Sequence, residues 1–196
     1  MTSTSAPSSH APSQEMSGAL RAAQLLSDPK GAMRLSHEDA TVLVRYMKPH
    51  LFKAGTTFIK EGDSGDGGFM ALLIEGDVVV EQITVKRTEP ITVRVLGPGA
   101  LVGEMGLVDN EPRSASCTAS TDVMCAILTR SAIDHMIAEV PATAAKVLLA
   151  VSSNIAERLR NTARQLKLYA RLASTMQEEI DQLTQQNESI STRPPV

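Results

Sequence analysis

Tryptophan is absent from this 196-residue chain and aromatic residues make up only 3% of it. Any core must therefore be built from Val, Ile, Leu, Met and Ala. Cysteine is equally scarce: Cys117 and Cys125 are the only two, and without a CxxC spacing they are expected to be buried free thiols rather than metal ligands or a disulfide framework. The four histidines, His10, His37, His50 and His135, are scattered with no metal-ligand spacing, so no metal is expected. No apolar run approaches the roughly 18 residues of a membrane span. The opening stretch, Met1 to Gln14, lacks the basic start and hydrophobic segment of a secretory signal, so a cytoplasmic location is expected. A net charge of -3 and a pI of about 5.8 argue against a globally basic nucleic-acid binder. No Ser, Cys or Thr carries the sequence signature of an activated nucleophile, so no catalytic residue and no enzyme activity are expected.

What is present falls into four parts. Residues 1–14 (MTSTSAPSSHAPSQ) are Ser, Thr, Ala and Pro with no apolar run, and are expected to be a disordered tail. Residues 15–140 are expected to form one domain, 141–189 a long helix, and 190–196 a second disordered tail. In the domain, Met16, Leu20 and Ala23 mark a short helix ending near Leu25-Leu26. Ser36 is an N-cap candidate followed by the acidic turn His37-Glu38-Asp39, and Pro49 closes that second helix. From Leu51 to Thr129 short Val-, Ile- and Leu-rich segments alternate with turns at Gly55, Glu61 to Gly68, Glu75 to Asp77, Lys86 to Pro90 and Gly97 to Gly99. That spacing predicts a mainly β fold with flanking helices, of the jelly-roll barrel type. A metal-binding cupin shares that roll, but no histidine lies between His50 and His135 to supply its ligands.

The chemistry is concentrated in Gly103 to Ser116 (GEMGLVDNEPRSAS). Gly103-Glu104-Met105-Gly106-Leu107 reads as one helical turn, whose free amides at its start attract an anion. Arg113 brings a permanently charged fork suited to phosphate oxygens, and Glu104 a carboxylate that accepts hydrogen bonds from sugar hydroxyls. A donor fork and an acceptor in one loop suit a small sugar-linked phosphate.

Gly103-Glu104-x-x-Leu107, a variable loop and Pro112-Arg113-Ser114-Ala115-Ser116 closely resemble the phosphate-binding cassette of the cyclic nucleotide-binding domains of catabolite activators and protein kinase regulatory subunits. The resemblance spans about Leu35 to Leu172. It implies that Glu104 binds the ribose 2'-hydroxyl, that Arg113 binds the cyclic phosphate and that Ser114 adds a hydroxyl, with Gly103 and Met105 counted among the ligand-binding residues. The ligand it implies is cAMP or cGMP, with no cofactor besides. On the long helix, Thr162 stands where catabolite activators carry a base-contacting Thr, while Ala163 replaces the Ser that follows it there.

From Pro141 to Glu188 the only Pro or Gly is that first proline, at a favourable opening position. Leu159, Thr162, Leu166, Tyr169, Ala173, Met176, Ile180, Leu183 and Asn187 recur in steps of three and four, a heptad seam with Leu159 at position a. Such a seam needs a partner helix, and the resemblance implies a second copy in a parallel homodimer, with Asn187 at an a position helping to fix register. Arg160, Arg164, Lys167 and Arg171 form a basic stripe at positions b and f, either a solvated face or a dock for an acidic partner. The ten residues after Gln186 are too few for the helix-turn-helix of the regulators, so DNA is not an expected partner. The sequence thus predicts a non-enzymatic receptor for a cyclic mononucleotide that signals through protein contacts as a homodimer. A ligand-free dimerisation scaffold, a relative of the transcription regulators and a cyclic di-GMP sensor stay open as alternatives.

Overall fold

The computed structural model describes residues 12–64, 68–83, 90–109 and 111–191. Expectations for residues 1–11, 65–67, 84–89 and 192–196 lie outside the described residues; these cover most of the two tails and parts of the two longest turns. Helix α1 (Pro12–Ser27) starts three residues before the expected Glu15. Proline is well placed in a first helical turn, where its missing N–H would have no intrahelical acceptor. The segment 12–14 is therefore helical rather than part of a disordered tail. The hydroxyl of Ser27 donates back to Ala23 O at 2.9 Å at its end. Helix α2 (His37–Val44) begins as the sequence predicts, with Ser36 Oγ accepting from Asp39 N–H at 3.1 Å.

Eight strands follow: β1 (Lys48–Phe52), β2 (Thr57–Ile59), β3 (Phe69–Glu75), β4 (Val78–Ile83), β5 (Pro90–Leu96), β6 (Leu101–Val102), β7 (Ser116–Ala119) and β8 (Val123–Thr129). Between β6 and β7 lies α3 (Glu104–Asp109), and after β8 come α4 (Arg130–Glu139) and α5 (Pro141–Ser191). The strands form two four-stranded antiparallel sheets, ordered β1-β8-β3-β6 and β2-β7-β4-β5. This is the β-sandwich with flanking helices and a long final helix that the sequence pattern predicts.

Alternation decides which residues enter the sandwich. Ala71 and Leu73 of β3, Val78 and Val80 of β4, Cys117 and Ala119 of β7, and Val123 and Cys125 of β8 point inward and pack as one buried cluster. Strand β3 departs from simple alternation: Met70, Leu72 and Ile74 are buried too, because α1 and α3 contact this strand. A strand covered on both faces reads as a continuous apolar run. Both cysteines are free thiols, and burial pushes each of them up to about 11.

The chain divides into two compact units, 1–154 and 155–196. The division falls inside α5 rather than at the expected Pro141, because Ala144, Val147 and Val151 of its first turns are buried. Beside them the Asp39 carboxylate, only 5% exposed, accepts from Lys146 Nζ at 2.8 and 3.1 Å, from Thr143 Oγ1 at 3.1 Å and from the Ser36 hydroxyl. The bond from Lys146, then that from Ser36, holds Asp39 below the usual carboxylate range. A group whose folded pKa is depressed contributes stability that is present above its unfolded value and lost as pH falls through the folded one. Asp39→Asn is therefore expected to lower the melting temperature near neutral pH and to flatten the loss of stability below about pH 4. Melting curves across that range check this; parallel wild-type and variant curves would show that Asp39 has no such role.

Candidate functional site: the turn around Arg113

Gly103 enters α3 at φ +77°, a region that favours glycine. A methyl group there would lie 2.7 Å from Phe69 O and 2.9 Å from Arg113 Nη1. The helix it opens is short, and its C-terminal carbonyls are met from outside the loop. Arg130 Nη1 donates to Leu107 O at 2.7 Å and to Val108 O at 3.1 Å, supplying the partners that a helix end otherwise lacks.

Arg113 sits in the segment before β7 and is held on four sides. Its Nη1 donates to Gly103 O at 2.9 Å and to Phe69 O at 3.0 Å, and its guanidinium carbon lies 4.8 Å from the centre of the Phe69 ring. Its backbone N–H donates to Asp63 O at 2.9 Å, while its own carbonyl accepts from Gly62 N–H at 2.8 Å. Ser116 Oγ accepts from Glu61 N–H at 3.0 Å one step further on. The β2–β3 turn and the cassette are thereby stitched together along their backbones. Burial draws the Arg113 pKa below its usual value, while Cys117, Asp63 and Asp109 act in the opposite direction; an arginine remains a cation under such shifts.

Close packing extends through the glycines. A methyl group at Gly106 would lie 2.9 Å from Arg113 Nη1, and one at Gly68 would fall 2.3 Å from Gly106 O. A cavity of about 170 Å³ opens beside the guanidinium, lined by Arg113 with Phe58, Ile59, Lys60, Asp63, Gly68 and Phe69.

Of the residues read from the sequence, Gly103 and Arg113 are joined by a hydrogen bond. Glu104, the first residue of α3, is 2% exposed. Met105 is half-exposed, and its Sδ lies 3.9 Å from the hydroxyl of Ser114. Thr162 belongs to the second unit, on α5, with its side chain exposed. Phe69 and Arg130 escaped the sequence reading. Phe69 is one of only three phenylalanines and follows a glycine-rich turn, a faint signal of an aromatic placed for stacking. Arg130 acts on carbonyls 22 and 23 positions earlier in the chain, and no local pattern announces that. Among the described residues no helix is long and apolar enough to cross a membrane.

Residues 49–140 match the model of the cyclic nucleotide-binding domain family. A cyclic nucleotide-gated potassium channel of Rhizobium etli is 33% identical over 121 residues, covering 62% of this chain and 28% of the channel. A CRP-like cAMP-activated global transcriptional regulator of Mycobacterium tuberculosis is 29% identical over 120 residues, 61% of this chain and 50% of the regulator. The matches thus span half or less of these relatives' lengths. Among solved structures, a cyclic nucleotide-binding domain from Methylobacillus flagellatus superposes with a TM-score of 0.65 at 29% identity, covering 74% of this chain and 80% of that one. The Thermus thermophilus catabolite activator protein does so with a TM-score of 0.62 at 27% identity, covering 74% of this chain and 63% of that one. Fold, cassette and matches together identify residues 49–140 as a cyclic nucleotide-binding domain, related to those of CRP-like regulators, protein kinase regulatory subunits and nucleotide-gated channels.

Proposed function

We propose that this chain is a cytoplasmic receptor for a cyclic mononucleotide, cAMP before cGMP, that performs no chemistry on its ligand and signals as a homodimer through contacts with a partner protein. The observation that carries the reading is the pairing of a buried Glu104 at the head of α3 with an Arg113 that is bonded to the carbonyl just before it. One short loop then offers an acceptor for a ribose hydroxyl and a cation for the cyclic phosphate. The relatives support the ligand class, since one is named for gating by cyclic nucleotide and another for activation by cAMP. Binding acts by differential affinity for two states of the protein, and the partner reads the state that is favoured.

Titration calorimetry with cAMP, cGMP and cyclic di-GMP tests this. Heat with either mononucleotide is expected; no heat with any of the three would leave a dimerisation scaffold, and heat with cyclic di-GMP alone a different sensor. Loss of a hydrogen bond to a charged acceptor costs about 1.5–3 kcal/mol. Glu104→Ala is accordingly expected to weaken cAMP by at least about tenfold, yet to change the affinity of 2'-deoxy-cAMP little. Equal losses for both ligands would remove Glu104 from the ribose.

Ser114 and Thr162 are proposed to set the choice of base, Thr162 by meeting the 6-position of the purine. Thr162→Ala is expected to shift the cAMP to cGMP affinity ratio. An unchanged ratio makes Thr162 a polar member of the helix seam only.

A further inference from the structure

The chain contains three phenylalanines, and they gather beside Arg113. Phe58 and Phe69 line the cavity next to its guanidinium, and Phe52 stacks on Phe58 with ring centres 4.2 Å apart and planes 12° apart. Phe69 is the ring that meets the cation, its centre 4.8 Å from the guanidinium carbon, inside the limit of about 6 Å for such contacts. The backbone brings it there. Phe69 opens β3 and pairs with Thr129 of β8, while the carbonyl of Gly68 before it accepts from Arg130 N–H at 3.1 Å. Gly68 also passes so close to α3 that a methyl group on it would fall 2.3 Å from Gly106 O. The start of β3 is thereby fixed against both β8 and the cassette.

Phe69 meets Arg113 twice. Its carbonyl and that of Gly103 take the two hydrogens of Nη1, at 3.0 and 2.9 Å. While those bonds hold, a phosphate is left to Nη2 and Nε, at the other end of a long and flexible side chain. The ring lies against the face of the guanidinium, and the attraction between its negative face and the cation resists tilting of the fork. We propose that the Phe69 side chain is a positioning residue for nucleotide: its ring holds the plane of the Arg113 guanidinium and so presets the cation for the cyclic phosphate. This rests on the receptor reading above. An arginine without the ring would have to be ordered when the ligand binds, and that ordering lowers affinity.

A change of side chain at position 69 leaves the backbone carbonyl in place, so the ring can be tested apart from the hydrogen bond. Pentafluorophenylalanine introduced at this position alone, in the full-length chain, keeps the shape of the ring but reverses the charge of its face. It is expected to weaken cAMP by about three- to tenfold in calorimetry, the scale of a partly desolvated cation–π contact. Phe69→Leu is expected to do the same, and Phe69→Tyr, which keeps the ring, to bind as wild type does. In an Arg113→Ala background the fluorinated ring is expected to have no further effect. Matched thermal melts of wild type and the fluorinated protein separate this from a loss of folding, and the fluorinated protein carries the test even where Phe69→Leu loosens the sandwich. Wild-type affinity with the fluorinated ring, while Arg113→Ala weakens binding, overturns the role of Phe69 and leaves the receptor standing. An equal loss from the fluorinated ring with and without Arg113 overturns it too. Absence of heat from wild type, or wild-type affinity in Arg113→Ala, overturns the receptor reading itself and this proposal with it.

Discussion

Arg113→Ala is expected to weaken cAMP binding by tenfold to a hundredfold or more. The cyclic phosphate loses a charge-assisted bond worth about 1.5–3 kcal/mol, and each 1.4 kcal/mol is about a factor of ten in affinity. The loss extends beyond the direct contact. The same guanidinium holds Gly103 O and Phe69 O, so its removal leaves the entry to α3 without its brace. Arg113→Lys separates the two contributions: it keeps the charge but has no planar fork with which to bridge the carbonyls, and is expected to fall between wild type and Ala. Calorimetry gives the affinities, and a thermal melt of each variant shows whether the sandwich still folds. Wild-type affinity in Arg113→Ala would place the phosphate elsewhere.

Ile180→Asp combined with Leu183→Asp is expected to dissociate the proposed homodimer while leaving the sandwich folded. These side chains are 53% and 59% exposed in the single chain. Covering each contributes up to about 1.5–3 kcal/mol per chain. Carboxylates at the same positions would be buried without partners, which costs more than the apolar contact contributes. Light scattering at micromolar concentration should report a dimer for wild type and a larger monomer fraction for the variant. Cyclic nucleotide should still bind the monomer, more weakly if Thr162 supplies a base contact. A monomeric wild type would mean that the seam of α5 belongs against another protein.

What could be read in the sequence was whatever is written locally. Gly103, Glu104 and Arg113 lie within eleven positions of one another, so their spacing alone marks a loop that gathers a turn, an acceptor and a cation. The Ser36 cap is equally local, a hydroxyl three residues before the amide it accepts from. Contacts made across the chain left no such trace. Asp39 and Lys146 are 107 positions apart, and in sequence Asp39 is one of two acids in a first helical turn. Nor did Pro141 mark where the first unit ends. Ala144, Val147 and Val151 form an apolar face at helical spacing, but their small side chains resemble the start of the seam rather than the edge of a core.

Gly106 carries one consequence for tuning the receptor. The three nearest atoms that a side chain there would meet belong to Arg113, with Nη1 at 2.9 Å and the guanidinium carbon at 3.3 Å. They are the far end of a long side chain, unlike the backbone oxygens that crowd Gly68 and Gly103. An alanine at 106 would therefore be accommodated by swinging the cation rather than by breaking the sandwich. In the proposed receptor, affinity for nucleotide can thus be shifted at this position by displacing the Arg113 guanidinium without replacing the residue itself, so one methyl group is enough to change the threshold.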